Sequence, residues 1–278
     1  MNLSSGKMTR LKEVLDNLYD IPRLKAHIKN DQIEFPHLYD DPKDIEIAGF
    51  IASSLAFGRI DLFKPVIKKV LSFADSTLYE YVINFEPHKD IKHFENLYYR
   101  MCKGRDIAAL VFILREVIRK HGTIGTLFHS CYNNQTSLRD TLGSFVRHLK
   151  EIDTTPIYGN GITPRGLLQL IASPENGGPC KRLNMYLRWM VRCADGIDFG
   201  LWKQIPPSAL VYPLDTHIIR ICKELHMTDR KSVSWAMTEE ITDKFRLISP
   251  DDPLKYDFAL CHLGISGKWK EVLSNGTK

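Results

Sequence analysis

Residues 164–192 read PRGLLQLIASPENGGPCKRLNMYLRWMVR, and this stretch decides the fold class. Pro164 opens a helix with Leu167, Leu168, Leu170 and Ile171 as its apolar positions; proline suits the first helical residue because the N–H it lacks would find no partner there. Ser173 to Pro179 interrupt the helix with Pro174, Gly177, Gly178 and Pro179. A second helix follows, its Leu183, Tyr186, Leu187, Met190 and Val191 recurring at helical spacing. The pattern is a helix–hairpin–helix over 164–192. Gly177 and Gly178 permit positive φ and close approach to the backbone, so the turn amides and the next helix N-terminus can face a phosphate, with Lys181, Arg182 and Arg188 beside them. The same residues also suit an αα-corner whose glycines only make the turn and whose basic side chains are solvated.

Helical periodicity extends in both directions from this segment. Leu110, Val111, Leu114, Val117 and Ile118 form one apolar stripe, and Leu138, Leu142, Phe145, Val146 and Leu149 another. Val233, Met237, Ile241, Phe245 and Ile248 predict a further helix, and so do Leu254, Phe258, Cys261 and Ile265, where Pro253 follows Asp251-Asp252 as a first-turn proline follows its cap. The run EIAGFIASSLAFG over 46–58 is small or apolar around its whole circumference, which predicts a helix packed on most sides and central to one lobe. No stretch alternates with the sustained period of a strand. The chain is therefore expected to be all-α, in two helical lobes with a cleft between them, and Pro156, Gly159, Gly161 and Pro164 mark 151–164 as the crossing between lobes.

Two positions invite chemistry. Lys181 falls in the first turn of its helix, where the helix dipole disfavours a cation; an amine there suits nucleophilic attack on a carbonyl-like carbon with formation of a Schiff base, or else a solvated or phosphate-contacting lysine. Asp215 directly precedes a helix carrying Ile218, Ile221, Cys222 and Leu225, within a segment spanning 211–225. It reads as an N-cap, and equally as a carboxylate that points into a cleft as a general base or supports a developing cation. His217 lies one turn in, as a packed or supporting side chain.

Composition removes other classes. With 38 Lys+Arg against 33 Asp+Glu the formal charge is +5, compatible with a polyanionic partner but also with plain solubility. No apolar run approaches the roughly 20 residues of a membrane span, and the first twenty residues lack a continuous apolar core of a secretory signal. The six cysteines are widely spaced, with no CxxC pair, and are expected to be free thiols in a reducing compartment. The ten histidines include no HExxH, so no metal site is expected. Neither GxxxxGK[ST] nor GxGxxG occurs, which argues against a nucleotide triphosphatase or a dinucleotide-binding enzyme.

The order of helix, glycine-containing hairpin, Lys181, and then Pro213-Leu-Asp215-Thr-His217-Ile-Ile-Arg220 resembles the helix–hairpin–helix DNA glycosylase superfamily, the group of endonuclease III and 8-oxoguanine glycosylase. In that superfamily the hairpin ends in a catalytic lysine and a later Asp-Thr segment carries a catalytic aspartate, so the resemblance gives these roles to Lys181 and Asp215. More narrowly, Asp41-Pro, Glu46-Ile, Gly49-Phe-Ile-Ala, Leu55-Ala-Phe-Gly-Arg59, Cys180-Lys-Arg-Leu-Asn-Met-Tyr-Leu-Arg-Trp-Met-Val-Arg192, Pro213-Leu-Asp-Thr-His217 and Lys255-Tyr-Asp-Phe-Ala-Leu260 are similar to an uncharacterised bacterial family, DUF2400, whose name implies no reaction. The chain departs from the superfamily in its hairpin, Glu175-Asn-Gly-Gly-Pro-Cys-Lys181 in place of Leu-Pro-Gly-Val-Gly-x-Lys, which alters the loop that faces phosphate. Lys181 and Asp215 stand 34 positions apart, farther than in most of the superfamily and similar to the archaeal 8-oxoguanine glycosylases. The iron–sulfur cysteines of the endonuclease III branch have no counterpart.

The resemblance implies one glycosylase-like unit over 1–278 that binds duplex DNA with a damaged base, excises an oxidised purine, 8-oxoguanine first, through a lysine Schiff base, and carries an AP lyase step. It implies no cofactor and no membrane partner, and a cytoplasmic monomer associated with the nucleoid through DNA. Phe57 to Arg59 are the candidates for the wedge or duplex contact; Trp189, Trp202, Phe258 and His262 are the candidates for the base pocket, though each also fits core packing. A non-catalytic DNA-binding or damage-sensing protein, and a helical Schiff-base enzyme acting on another substrate, are the competing expectations.

Overall fold

The structure, a computed structural model, describes residues 5–132, 136–159 and 162–277, so Gly161 lies outside the described residues. Among those residues the chain is helical apart from one two-stranded sheet, and no helix is long and apolar enough to cross a membrane. It forms two compact units, one discontinuous (Met1–Lys29 with Asn176–Lys278) and one continuous (Asn30–Glu175). The stretch 151–164, expected to cross between lobes, lies inside the continuous unit. The reason is local: Pro156 falls in the first turn of a short helix, Thr155–Tyr158, that ends at Gly159 in the left-handed conformation, and the Tyr158 hydroxyl donates to Asp106 Oδ1 at 2.8 Å. The unit boundary at Glu175–Asn176 instead divides the expected helix–hairpin–helix, assigning its first helix to one unit and its second to the other.

The discontinuous unit opens with α1 (Ser5–Leu18) and α2 (Ile21–Lys25), the latter capped by Asp20. The continuous unit follows with α3 (Pro42–Leu55), α4 (Ile60–Leu71), α5 (Leu78–Ile83), α6 (Pro87–Asp90), β1 (Tyr98–Tyr99), β2 (Cys102–Lys103), α7 (Gly104–His121), α8 (Ile124–Cys131), α9 (Leu138–Lys150), α10 (Thr155–Tyr158) and α11 (Arg165–Leu170). As its apolar circumference predicts, α3 is buried from Asp44 to Leu55, and its two buried acids serve the amides of other segments. Glu46 reaches the N-terminus of α8, accepting from the Ile124 and Gly125 amides, and Asp44 accepts from the Tyr79 amide at 2.7 Å. The predicted stripes of α7 and α9 both face the core. The antiparallel pair β1–β2 left no trace of alternation because only Tyr98, Tyr99, Cys102 and Lys103 pair.

The chain then returns to the discontinuous unit as α12 (Lys181–Val191), α13 (Thr216–Glu224), α14 (Trp235–Ile248), α15 (Asp257–Ser266) and α16 (Trp269–Thr277). Within this unit α1 packs on α14 and α16, and α13 packs on α15. Two expected helix starts move. Ser234 caps α14, so Val233 precedes the helix and is exposed. Helix α15 begins at Asp257 rather than at Pro253, because Asp252 is taken by Arg192, whose Nε and Nη2 both donate to it; Ile265, predicted on the apolar face, is exposed. Arg192 is itself buried and also bonds Asp195, Asp198 and the Tyr19 hydroxyl, which fastens the end of α12 to the chain that follows α1.

Candidate active site

Lys181 is the first residue of α12 and Asp215 the cap of α13, and both belong to the discontinuous unit. The hairpin reaches Lys181 through two residues at positive φ, Gly177 at 76° and Cys180 at 46°. Cys180 in this conformation is uncommon for a non-glycine residue. Two bonds hold the turn: the Trp235 amide donates to the Gly177 carbonyl at 2.9 Å, and Asn184 Nδ2 donates to the Pro179 carbonyl at 2.9 Å. A Cβ at Gly177 or Gly178 would meet nothing within 4 Å, so the side-chain direction at each Cα faces open space.

Asp215 divides its two oxygens between structure and site. Oδ1 accepts from the amides of His217 and Ile218, both at 2.8 Å, which satisfies the orphan donors of the helix start. Oδ2 lies 3.8 Å from Lys181 Nζ and accepts from the Cys261 thiol at 3.2 Å. The carboxylate is largely buried, 13% exposed, whereas the lysine side chain is 36% exposed. An accessible amine beside a fixed carboxylate can exchange protons with it and attack an electrophilic carbon, and the carboxylate can support the positive charge that develops.

Behind this pair lies a buried charge cluster that periodicity did not disclose. Arg188, fully buried on α12, donates from Nη1 to Asp257 Oδ2 at 2.6 Å and from Nε to Asp198 Oδ1 at 3.2 Å. Burial pushes the Asp257 carboxyl up to about 6, against the pull of Arg188 and with the help of the nearby charge of Asp215. The Cys222 thiol is likewise pushed up, by burial first and then by Asp257 and Asp215. Arg188 was expected to touch DNA; that expectation is corrected, because a guanidinium enclosed by two buried carboxylates has no path to a phosphate.

The aromatic candidates are also placed mainly in the core. Trp189 is wholly buried, and Trp202 is buried with its ring edge-on to Tyr186 at 5.4 Å. Phe258 and His262 of α15 are buried as well: their rings meet at 4.4 Å, Arg188 lies over Phe258 at 5.4 Å, and His262 stacks on His27 at 4.5 Å. Burial, then His262, then Arg23 hold the His27 imidazole below its ordinary value. His217 packs so tightly on α15 that a Cβ at Gly264 would stand 2.6 Å from its own Cβ, and its buried Nδ1 has no hydrogen-bond partner among the described residues. Arg182 is half-buried in the first turn of α12. Phe57 and Arg59 belong to the continuous unit, where Arg59 is exposed and paired with Asp61 at 2.7 Å.

Sequence reasoning missed Cys261, Asp257 and Asp198. Asp257 left a faint signal, a single acid at the head of the apolar run Phe-Ala-Leu. Cys261 left none, since a thiol on a helix face looks like core until its neighbour is known. No group of three or more His, Cys, Asp or Glu side chains able to hold a metal occurs among the described residues.

The family described as "Protein of unknown function (DUF2400)" matches residues 31–266, a span that holds Lys181, Asp215 and Cys261. Comparison with the curated proteins and with the solved structures finds no match. The chain belongs to the DUF2400 family.

Proposed function

We propose that this protein is a base-excision DNA glycosylase with an AP lyase step. The observation that carries the reading is the Lys181–Asp215 pair: an accessible amine at a helix start, 3.8 Å from a carboxylate whose other oxygen is fixed as a cap. The sequence resemblance to the helix–hairpin–helix glycosylases supports it, and the open backbone at Gly177 and Gly178 offers room for a phosphate. In the proposed reaction Lys181 Nζ bonds to the sugar C1′ as the glycosidic bond breaks and its electron pair leaves with the base. Asp215 Oδ2 takes the amine proton and supports the oxocarbenium character of the transition state. Opening of the sugar ring gives the Schiff base, and loss of a C2′ proton then expels the 3′ phosphate. An oxidised purine is the favoured substrate, because the 34-residue separation of lysine and aspartate resembles that of the archaeal 8-oxoguanine enzymes.

The test is incubation with duplexes that carry 8-oxoguanine, uracil, thymine glycol or an abasic site, with and without borohydride. Wild type should give a trapped adduct, Lys181→Ala none, and Asp215→Asn far less. Duplex binding without an adduct on any substrate would favour a non-catalytic DNA-binding protein.

A further inference from the structure

The hairpin β1–β2 of the continuous unit is anchored by one face and displays the other. Its inner residues are buried: the Tyr99 hydroxyl donates to the Phe57 carbonyl, and the Cys102 thiol donates to the Gly166 carbonyl at 3.4 Å. Gly58, at φ 89°, makes the first contact possible, since a Cβ there would stand 2.9 Å from the Tyr99 hydroxyl and 2.6 Å from Arg100 Nη1. The outer face pairs Tyr98 with Lys103, and Arg100 and Met101 form the two-residue tip. Tyr98 is 68% exposed and Met101 52% exposed.

The tip residue Arg100 sits at φ 54°, where glycine or asparagine is the ordinary choice. An arginine held there costs about 1 kcal/mol, and the local fold gives it no acidic partner. From Leu97 to Arg105 the sequence LYYRMCKGR contains three cations and no acid. Among the described residues Arg100, Lys103, Arg105 and the nearby Arg165 form no ion pair with any carboxylate. Arg165 adjoins the tip, for a Cβ on its neighbour Gly166 would lie 2.9 Å from the Met101 carbonyl. Helix α4, whose first turn exposes Ile60 and Leu62, packs against β1.

The residue after Arg105, Asp106, is buried and its carboxylate accepts from the Lys103 amide and the Tyr158 hydroxyl. An exposed tyrosine and methionine flanked by exposed cations that form no ion pair among the described residues complement a polyanion that also offers flat apolar faces. We infer that this hairpin is a duplex-DNA contact, with Arg100, Lys103 and Arg105 on backbone phosphates and Tyr98 and Met101 against an opened base step. The inference rests on the DNA reading above and names a surface the earlier wedge candidates did not include. Phe57 becomes support for the hairpin, with its ring 4.9 Å from Tyr99 and under Arg100 at 6.0 Å.

The experiment is a salt titration of the affinity of the full-length protein for a fluorescent duplex, undamaged or with an abasic site, run beside borohydride trapping. Three phosphate contacts predict that the combined variant Arg100→Asn, Lys103→Ala, Arg105→Ala lowers the slope of log K against log salt by about 2 to 3 and weakens binding at least tenfold. Asparagine tolerates the positive φ, so the turn survives. Tyr98→Ala with Met101→Ala should keep the salt slope and lose affinity only for the abasic duplex. Removal of three exposed cations elsewhere on the same unit, Lys68, Lys120 and Lys150, should change affinity less than twofold. Lys103→Glu with Arg105→Glu is a second probe, since acids are well tolerated at a helix start. If the hairpin variants bind like the control variant while wild type still traps, the hairpin inference falls and the glycosylase reading stands. If binding depends on the hairpin and no adduct forms, the surface stands and the glycosylase reading falls. If wild type binds no duplex, both fall.

Discussion

The Lys181 amine stands 3.8 Å from Oδ2 of Asp215, the carboxylate oxygen that takes no part in capping α13. One side chain therefore has separable structural and chemical roles. Asparagine retains a capping oxygen but no charge, so Asp215→Asn should change stability by no more than about 1 kcal/mol, whereas Asp215→Ala should cost about 1 to 2 kcal/mol through loss of the cap. Both should lower borohydride trapping by about 100-fold or more. Urea denaturation and trapping on the same preparations separate the two effects, and undiminished trapping by the asparagine variant would remove Asp215 from the reaction.

The approach of α13 to α15 depends on the missing side chain of Gly264. A Cβ there would stand 2.6 Å from His217 Cβ, and neither atom can yield without moving a helix. Gly264→Ala should destabilise the protein by about 1 to 3 kcal/mol and, by displacing Cys261 from Asp215, reduce trapping. Gly178→Ala is the matched comparison: it meets nothing within 4 Å and should leave stability within about 0.5 kcal/mol of wild type. Equal denaturation midpoints for the two variants would contradict the tight crossing.

Arg188 distinguishes a DNA contact from a structural ion. Its removal would leave Asp198 and Asp257 buried together without their shared cation. Arg188→Ala should therefore cost about 3 to 5 kcal/mol, visible as a lower thermal midpoint in the absence of DNA. Wild-type stability combined with weaker, less salt-dependent DNA binding would instead restore it to the interface.

Acid should weaken the attachment of α1. Asp16 accepts from Lys12, from Lys255 at 2.6 Å and from the Tyr256 hydroxyl at 2.7 Å. Burial opposes ionisation of this carboxyl, but those three hydrogen bonds prevail and hold it well below the usual carboxylate range. A carboxyl easier to ionise in the folded than in the unfolded chain stabilises the fold fully above its ordinary value of 3.8, and that contribution fades as pH falls below it. Denaturation of wild type and Asp16→Asn should accordingly differ at pH 7 and converge toward pH 2. A difference that stays constant over this range would show that Asp16 acts through packing alone.

How much of this was legible follows from the range of each interaction. Helical periodicity is a local property, so the α7, α9 and α14 stripes could be read from spacing, and Asp215 as a cap from its position before an apolar helix. Two boundaries failed because a distant partner claimed the local signal: Asp252 went to Arg192, and the short helix Thr155–Tyr158 within 151–164 is held to α7 through Tyr158 and Asp106. Lys181 and Asp215 were singled out as separate positions, but their separation in space belongs to the packing of α12 and α13 and cannot be computed from a 34-residue spacing alone. The basic residues show the division most sharply. Arg188 and Arg100 are equally charged in the sequence, yet two buried carboxylates enclose the first while the tip of a two-residue turn exposes the second. Composition and periodicity determined that the chain is helical and marked α3, α7, α9 and α11 to α15, while α1, α2, α4, α5, α6, α8, α10 and α16 emerged only in the structure. Only the tertiary structure decided which charges are neutralised inside and which remain for a partner, because desolvation and ion pairing depend on neighbours far apart along the chain.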